Sequence, residues 1–438
     1  MLRDVYWNVG LRYGEVPARW REIEAFRRLE AGAARRALGE RLLAQVRHFG
    51  ARADALPEWR EAARLPDAEA LWAAWPSLPV VTKEDLRTRF HPERLRASGV
   101  RGRVSSTGGS TGEPTPFLHD AAQQAYGTAA GLYCWHRFGW RPGMPVVCVW
   151  GAERDIGRQR SLAGRAQAWL RNYWLVDGYA LNPRTVDQVL ALLDRFEEVV
   201  LYGFTSMLEF VAREVLRRGA RVPPGRIRAA WNGGEMLHEH QAALFREAFG
   251  TPLLNLYGGR ELGAMAFQPG AGQALEVLRP WVYVEVVDEA GRPSRPGEVG
   301  RLVWTHTAGR GTPFLRYDVG DLGVAGEDGT DASGIHHLSE LHGRSAGLLH
   351  LPNGTVVNGL YWNHLFKEYA EVEQFQVAWI GGQRLEVRLR GAGLPAVREA
   401  EIRRVIGTVV GGDVPVQVRW VDRIPPTAQG KLMQLVRE

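Results

Sequence analysis

A chain of 438 residues is too long for one ordinary hydrophobic core, so two or three domains are expected. With 45% hydrophobic and 24% charged residues the composition is globular and excludes intrinsic disorder, and no run approaches the roughly 20 apolar residues of a membrane helix. The formal charge of +6 is carried by basic residues interleaved with acids, as in REIEAFRRLEAGAARR, which argues for a solvated surface and against a nucleic-acid partner.

The two cysteines, Cys134 and Cys148, form no CxxC pair, so neither a disulfide framework nor a thiolate zinc site is expected. The opening MLRDVYWNVGLRYGEV carries charges where a secretion signal has its apolar stretch, and a cytoplasmic location follows as the expectation. Among 55 basic residues only Lys83, Lys367 and Lys431 are lysines. Arginine offers a planar fork and lysine a compact point charge, so each lysine raises the question of why arginine would not serve.

In chain order, residues 1–75 read as a helical packing segment, with Phe26, Leu29, Leu38, Leu42, Val46 and Phe49 at helical spacing. Pro79 ends that pattern. In LPVVTKEDLRTRF, Thr82 is placed to cap a helix that opens at Lys83-Glu84-Asp85. Through residues 76–274 the runs PVVCVWG, EEVVLYGF, IRAAWNGG and PLLNLYGG each end in a glycine turn. VDQVLALLDRF and EHQAALFREAF, between the later runs, have the helical period. This alternation predicts an α/β core with loops gathered at the strand ends, where ligands bind.

Residues 275–342 change character. Val282, Val284 and Val286 alternate at period two, and strand, turn, strand predicts a β-rich subdomain. Beyond a glycine-rich hinge at 343–347, residues 348–438 read as a hairpin around Gly381-Gly382, the helix VREAEIRRVIGTVV and a final strand VPVQVRWVDRI. The expected fold is therefore α/β, with a large N-terminal lobe (1–342) of several subdomains containing mixed sheets. A small mobile α+β domain completes it at the carboxyl end.

Four segments are candidates for chemistry. In SSTGGSTGEPTPF, five hydroxyl side chains and three glycines precede Pro114, and such a loop lets main-chain amides and hydroxyls approach phosphate oxygens. No Gly-Lys-Ser/Thr follows, so it is not a Walker loop. Tyr257-Gly258-Gly259-Arg260-Glu261 follows an apolar run and offers a carboxylate for Mg²⁺ beside an aromatic ring. LRYDVGDLG supplies Asp318 and Asp321, and a carboxylate suits vicinal ribose hydroxyls. PPTAQGKLMQL carries Lys431 next to a glycine.

Taken in order, the Ser/Gly loop, Gly-Gly-Glu, Tyr-Gly-x-x-Glu, Arg-Tyr-x-x-Gly-Asp, Gly-Arg and Pro-x-Thr-x-x-Gly-Lys resemble the adenylate-forming superfamily of acyl-coenzyme A ligases. LPVVTKEDLR and RYDVGD resemble its phenylacetate–coenzyme A ligase and capsular-biosynthesis branch, and the resemblance runs from about residue 78 to the end. It implies an enzyme that activates a carboxylic acid with Mg-ATP to an acyl-adenylate and then passes the acyl group to coenzyme A. The alternative is an adenylating enzyme that uses no coenzyme A.

The resemblance also implies residue roles. Ser105, Ser106 and Thr107 belong to the phosphate loop, and Ser110, Thr111 and Gly112 would hold the β- and γ-phosphates. Gly233, Gly234 and Glu235 would form the adenine-side loop, with Tyr257 and Gly258 against the purine. Glu261 would bind Mg²⁺, Arg260 would contact phosphate, Asp321 would take the ribose hydroxyls and Arg344 would lie near ribose and hinge. Lys431 would swing in to stabilise charge as the carboxylate attacks the α-phosphorus.

Three positions depart from the family pattern: Thr115 replaces a lysine after the loop proline, Arg260 a Ser or Thr, and Ala346 the hinge Asp or Lys. The acid pocket is less determined. Tyr126, Tyr133, Trp135, Phe138 and Trp140 either line an aromatic pocket or pack the core. The sequence leaves the acid, the final acceptor and the oligomeric state open, a homodimer included.

Overall fold

The computed structural model describes residues 15–106, 115–150, 162–178, 181–344, 349–352, 356–357, 362, 365–366, 369, 371–424 and 434–438. The chain forms two compact units, residues 1–341 and 342–438.

Among the described residues of the first unit, helices α1 (Glu15–Phe26), α2 (Ala31–Gly50), α3 (Pro57–Ala62) and α4 (Ala68–Ala74) come first. Phe26, Leu38, Leu42, Val46 and Phe49 are buried as their spacing predicts. Leu29 is 41% exposed, because it falls in the turn between α1 and α2 where the helical period is interrupted. Thr82 caps α5 (Lys83–Arg87) by accepting from Asp85 N at 3.2 Å, while Asp85 accepts from Thr82 N at 2.8 Å. Helix α6 (Pro92–Ala97) follows, and then strands β1 (Arg103–Ser106) and β2 (Pro116–His119) pair antiparallel. The Ser/Gly segment begins at the end of β1 and ends in β2.

Helix α7 (Ala121–Phe138) leads into a five-stranded parallel sheet. Its strands are β3 (Val146–Trp150), β4 (Tyr173–Asp177), β5 (Val199–Gly203), β6 (Ile227–Asn232) and β7 (Leu253–Leu254), in the order 4-3-5-6-7. Strand β4, although Gly178 follows it directly, is not among the runs the sequence singles out. Connecting helices are α8 (Leu162–Leu170), α9 (Pro183–Arg195), α10 (Thr205–Arg217) and α11 (Glu239–Phe249). Successive side chains alternate between two cores: Val146, Val200 and Trp231 join the larger one that contains α7. Val147, Leu201 and Ala230 join the one filled by α9–α11.

PLLNLYGG divides between two sheets. After β7, Asn255 turns the chain into β8 (Leu256–Gly259), which pairs antiparallel with β9 (Gly263–Phe267), itself beside β10 (Leu275–Val277). Strands β11 (Val282–Val287), β12 (Gly300–His306) and β13 (Tyr317–Val324) make the next antiparallel sheet, with Glu340–Arg344 at its edge. All six residues of β11 are buried, Tyr283 and Glu285 included, so the period-two valines do not mark a half-exposed strand. Both faces are covered, and Glu285 is tolerated inside because Arg316 neutralises it. Arg316 takes φ +46°, an uncommon left-handed value for a non-glycine residue. Its guanidinium donates to both Glu285 oxygens at 3.0 Å and to the carbonyls of Pro76, Leu78 and Gly291, which uses all five N–H groups.

In the second unit, Val372–Ile380 and Arg384–Gly391 form the expected hairpin, with Gly381 and Gly382 both at positive φ in the turn. Ala396–Val410 is the expected helix. Val416–Trp420 is not the last strand: Leu435–Arg437 follows and pairs parallel with 377–379 on the opposite edge of the four-stranded sheet. Arg388 anchors that end through Glu438 at 2.7 and 2.8 Å.

Candidate active site

The carboxyl ends of the parallel strands bring polar groups and glycines together. At the end of β6, Asn232 is fully buried and spans three segments. Its Nδ2 donates to Thr205 Oγ1 at 2.7 Å and to the Glu235 carbonyl at 2.9 Å, and its Oδ1 accepts from Leu256 N at 3.2 Å. The amide thus ties the 233–235 loop to the start of α10 and to β8, with each bond contributing about 1 kcal/mol. Gly233 and Gly234 follow because there is no room for a side chain. A Cβ on Gly233 would lie 2.8 Å from the Tyr202 hydroxyl, and one on Gly234, at φ +75°, 2.6 Å from the Phe204 ring. Glu235 turns its carboxylate to α10, accepting from Ser206 N at 2.7 Å and Ser206 Oγ at 3.0 Å. That places negative charge at a helix amino terminus.

Tyr257 and Asp321 meet across two sheets. The Tyr257 hydroxyl donates to Asp321 Oδ2 at 2.6 Å, and the Tyr257 ring packs 5.7 Å from that of Trp304. Asp321 lies within β13 and not in a loop after it, at an irregular stretch where register slips opposite Arg301–Val303 and Gly320 takes φ +83°. Asp318 is committed elsewhere: Arg301 Nη1 donates to it at 2.6 Å and Gly320 N at 2.8 Å.

Glu261 sits in the β8–β9 turn and is only 8% exposed. Its main-chain carbonyl accepts from Gln123 Nε2 at 2.8 Å and His119 Nε2 at 2.9 Å. Burial lowers the His119 pKa, so the neutral ring is the donor. The turn lies tight on α7, where a Cβ on Gly263 (φ +73°) would come 3.3 Å from Gly127 Cα. The carboxylate itself makes no hydrogen bond or ion pair among the described residues, and Oε2 lies 3.1 Å from where a Gly259 Cβ would stand. Gly258 allows a close crossing, since its Cβ would fall 2.3 Å from the Gly263 carbonyl. Arg260 is exposed beside Glu261.

Ser105 and Ser106 end β1, half-buried at the mouth of the hairpin, and Thr115 is buried on the returning side. Thr107, Ser110, Thr111, Gly112, Ala346 and Lys431 lie outside the described residues, as does the side chain of Arg344. The aromatic candidates separate. Tyr133 and Phe138 are buried against Phe267, and Phe138 also stacks on Trp231. Tyr126 and Trp140 are core residues too. Trp135 is half-buried and packs near Tyr202 and Trp231. Sequence reasoning did not pick out Trp150, Tyr202 and Phe204, which stack at the ends of β3 and β5, with Trp150 3.9 Å from Phe204 and 5.3 Å from Tyr202. Their signal was the aromatic closing each apolar run just before its turn. Asn232 had a comparable signal, an amide at the end of an otherwise apolar strand.

The AMP-binding enzyme family matches residues 107–309, which include the Ser/Gly loop from Thr107 onward, Gly233–Glu235 and Tyr257–Glu261. The chain is 29% identical over 260 residues to phenylacetate–coenzyme A ligase of Thermus thermophilus, covering 56% of this chain and 55% of that protein. Over residues 107–309, a little under half of the chain, the sequence is similar to AMP-binding enzymes. Protein CapK of Staphylococcus aureus is 24% identical over 245 residues, covering 56% of the chain and 52% of CapK, so the chain spans about half the length of the curated relatives it matches. Among solved structures, 2-hydroxyisobutyryl-CoA ligase in the postadenylation state has TM-score 0.65 at 19% identity, over 94% of this chain and 90% of that one. ATP-bound MatB from Rhodopseudomonas palustris has TM-score 0.54 at 18% identity, over 75% and 66%. At these identities the likeness is one of fold. Asp321, Arg344 and Lys431 lie beyond the stretch matched by the adenylate-forming family.

The residues present fit the nucleotide and metal that such enzymes use. A buried carboxylate without a partner favours a cation, and Glu261 has none among the described residues. Among the described residues no cluster of three or more His, Cys, Asp or Glu forms an all-protein metal cage. Mg²⁺ with one carboxylate and phosphate or water oxygens needs none. No helix among the described residues is long and apolar enough to cross a membrane.

Proposed function

We propose that the chain is a cytoplasmic AMP-forming ligase that activates a carboxylic acid, aromatic in class, with Mg-ATP and transfers the acyl group to coenzyme A. The observation that carries this reading is the convergence of Glu261, Tyr257–Asp321 and the Gly233-Gly234 backbone at the strand ends of one unit. Glu261 would hold Mg²⁺, which neutralises triphosphate charge when bound. Asp321 would accept from the ribose hydroxyls with the oxygen that Tyr257 leaves open. Ser105, Ser106, Thr107, Ser110, Thr111 and Gly112 would cradle phosphates, Arg260 would add a cation, and Arg344 would lie at the ribose edge. Lys431 would supply a positive charge to the transition state. The Trp150, Tyr202 and Phe204 stack, with Trp135 beside it, supports an aromatic acid, as does similarity to phenylacetate–coenzyme A ligase.

The two units are proposed to reorient about a hinge at 343–347. This rests on the Gly-rich HGRSAG stretch and on 2-hydroxyisobutyryl-CoA ligase, solved in postadenylation, open and thioesterification states. Ala346 at the hinge favours a second reading, in which the adenylate is not passed to coenzyme A. Acid-dependent ATP–pyrophosphate exchange across aryl, fatty and hydroxy acids tests the function. Exchange with an aryl acid and AMP release that requires coenzyme A are expected. Exchange without that requirement selects the second reading, and no exchange with any acid overturns both. Lys431→Ala should slow adenylate formation roughly 10²- to 10³-fold while leaving thioester formation from supplied adenylate largely intact.

A further inference from the structure

Lys83 has no place in the reaction described above, yet two observations single it out. It is one of three lysines in a chain that otherwise uses arginine. Its ammonium also lies against β13, with Nζ 3.2 Å from the position a Cβ on Gly320 would take. The segment before α5 is built to put it there. Val81 bridges Tyr317 in parallel, with Val81 N donating to the Arg316 carbonyl and Asp318 N to the Val81 carbonyl, both at 2.9 Å. The capping box at Thr82 then fixes Lys83 as the first helical residue. Gly320 is next to Asp321 and two residues after Asp318, in the irregular stretch that aims Asp321 at Tyr257.

From this arrangement we infer that Lys83 is a positioning residue for ribose recognition, an inference that rests on the nucleotide reading of the site. The ammonium sits over Gly320, the one residue between Asp318 and Leu322 without a side chain, and adds positive charge to the backbone that leads into Asp321. It thereby holds the Gly320 crossing in the form that presents Asp321 to a nucleotide. A point charge fits over bare backbone, whereas a guanidinium plane is too broad, which accounts for lysine in an arginine-rich chain. The glycine is required for the same reason: a methyl group at 320 would press on the ammonium and strain a positive φ.

The test is titration calorimetry of Mg-ATP and Mg-2′-deoxy-ATP with the full chain, comparing wild type, Lys83→Met, Lys83→Gln and Lys83→Arg. Lys83 is partly exposed at a helix start, so the variants should fold, and circular dichroism checks this. Wild type is expected to prefer ATP by about tenfold, the scale of one hydrogen bond to a charged group. Lys83→Met and Lys83→Gln should bind ATP about tenfold more weakly and lose that preference, with 2′-deoxy-ATP changed less than about twofold. Lys83→Arg should not restore it. Equal weakening of both nucleotides would mark a general structural role and overturn the inference, as would unchanged binding of both. A wild type that binds ATP without preferring it over the deoxy form overturns it too. A wild type that binds neither nucleotide instead overturns the nucleotide reading of the whole site.

Discussion

Glu285 and Glu261 are both buried carboxylates of the first unit, in adjoining sheets joined where Trp281 Nε1 donates to the Leu262 carbonyl at 2.9 Å. Their surroundings differ in kind. Burial pushes the Glu285 carboxyl up, Arg316 opposes it, and Trp75 Nε1 adds a donor at 2.9 Å, so both carboxylate oxygens are satisfied from within. Among the described residues Glu261 receives hydrogen bonds only at its main-chain carbonyl, and its carboxylate has no partner there. Burial alone does not distinguish structural charge from functional charge. Whether the partners come from the protein does.

The comparison breaks first at Arg316. Arg316→Met strands Glu285 and opens five donor positions, and should cost about 3–5 kcal/mol in a denaturant melt. Replacing both partners, as Glu285→Leu with Arg316→Met, should recover most of it. If the double variant were as unstable as the single, the pair would be contributing more than mutual neutralisation.

The same β-rich sheet should show the next largest effect, as an acid dependence. His306 is buried, its Nδ1 accepts from Gly309 N at 2.8 Å, and burial lowers its pKa from 6.5 to about 4. The unfolded chain binds this proton first, so stability is full above about pH 6.5 and falls by roughly 3 kcal/mol as pH drops toward 4. His306→Asn should flatten that slope, and an unchanged slope would assign it to other groups.

At Glu261 the expectation reverses. Glu261→Gln should lower Mg-dependent adenylation roughly 10²-fold or more while shifting unfolding free energy by less than about 1 kcal/mol. A folded variant with wild-type exchange would remove the metal role. The smallest effect is expected at Tyr257→Phe, about 1 kcal/mol of stability from the lost bond to Asp321. Nucleotide binding should persist, because Asp321 remains, and its complete loss would mean that the tyrosine hydroxyl itself contacts the ligand.

The sequence alone determined the features with short-range causes. Apolar runs closed by glycine became the parallel strands β3, β5 and β6, Thr82 and Asp85 formed their cap, and Gly381-Gly382 turned the second unit's hairpin, because period, capping and positive φ act within a few residues. Only the tertiary structure decided that Leu253–Leu254 and Leu256–Gly259 part into different sheets, and that Tyr257 meets Asp321 from 64 positions away. It alone decided that Arg316 is wholly spent on Glu285 and three carbonyls, and that Lys83 lies over Gly320. Those outcomes depend on which surfaces are brought together by burying two faces of a sheet at once. No local period encodes them, since the partners share a place only after the cores between them have packed.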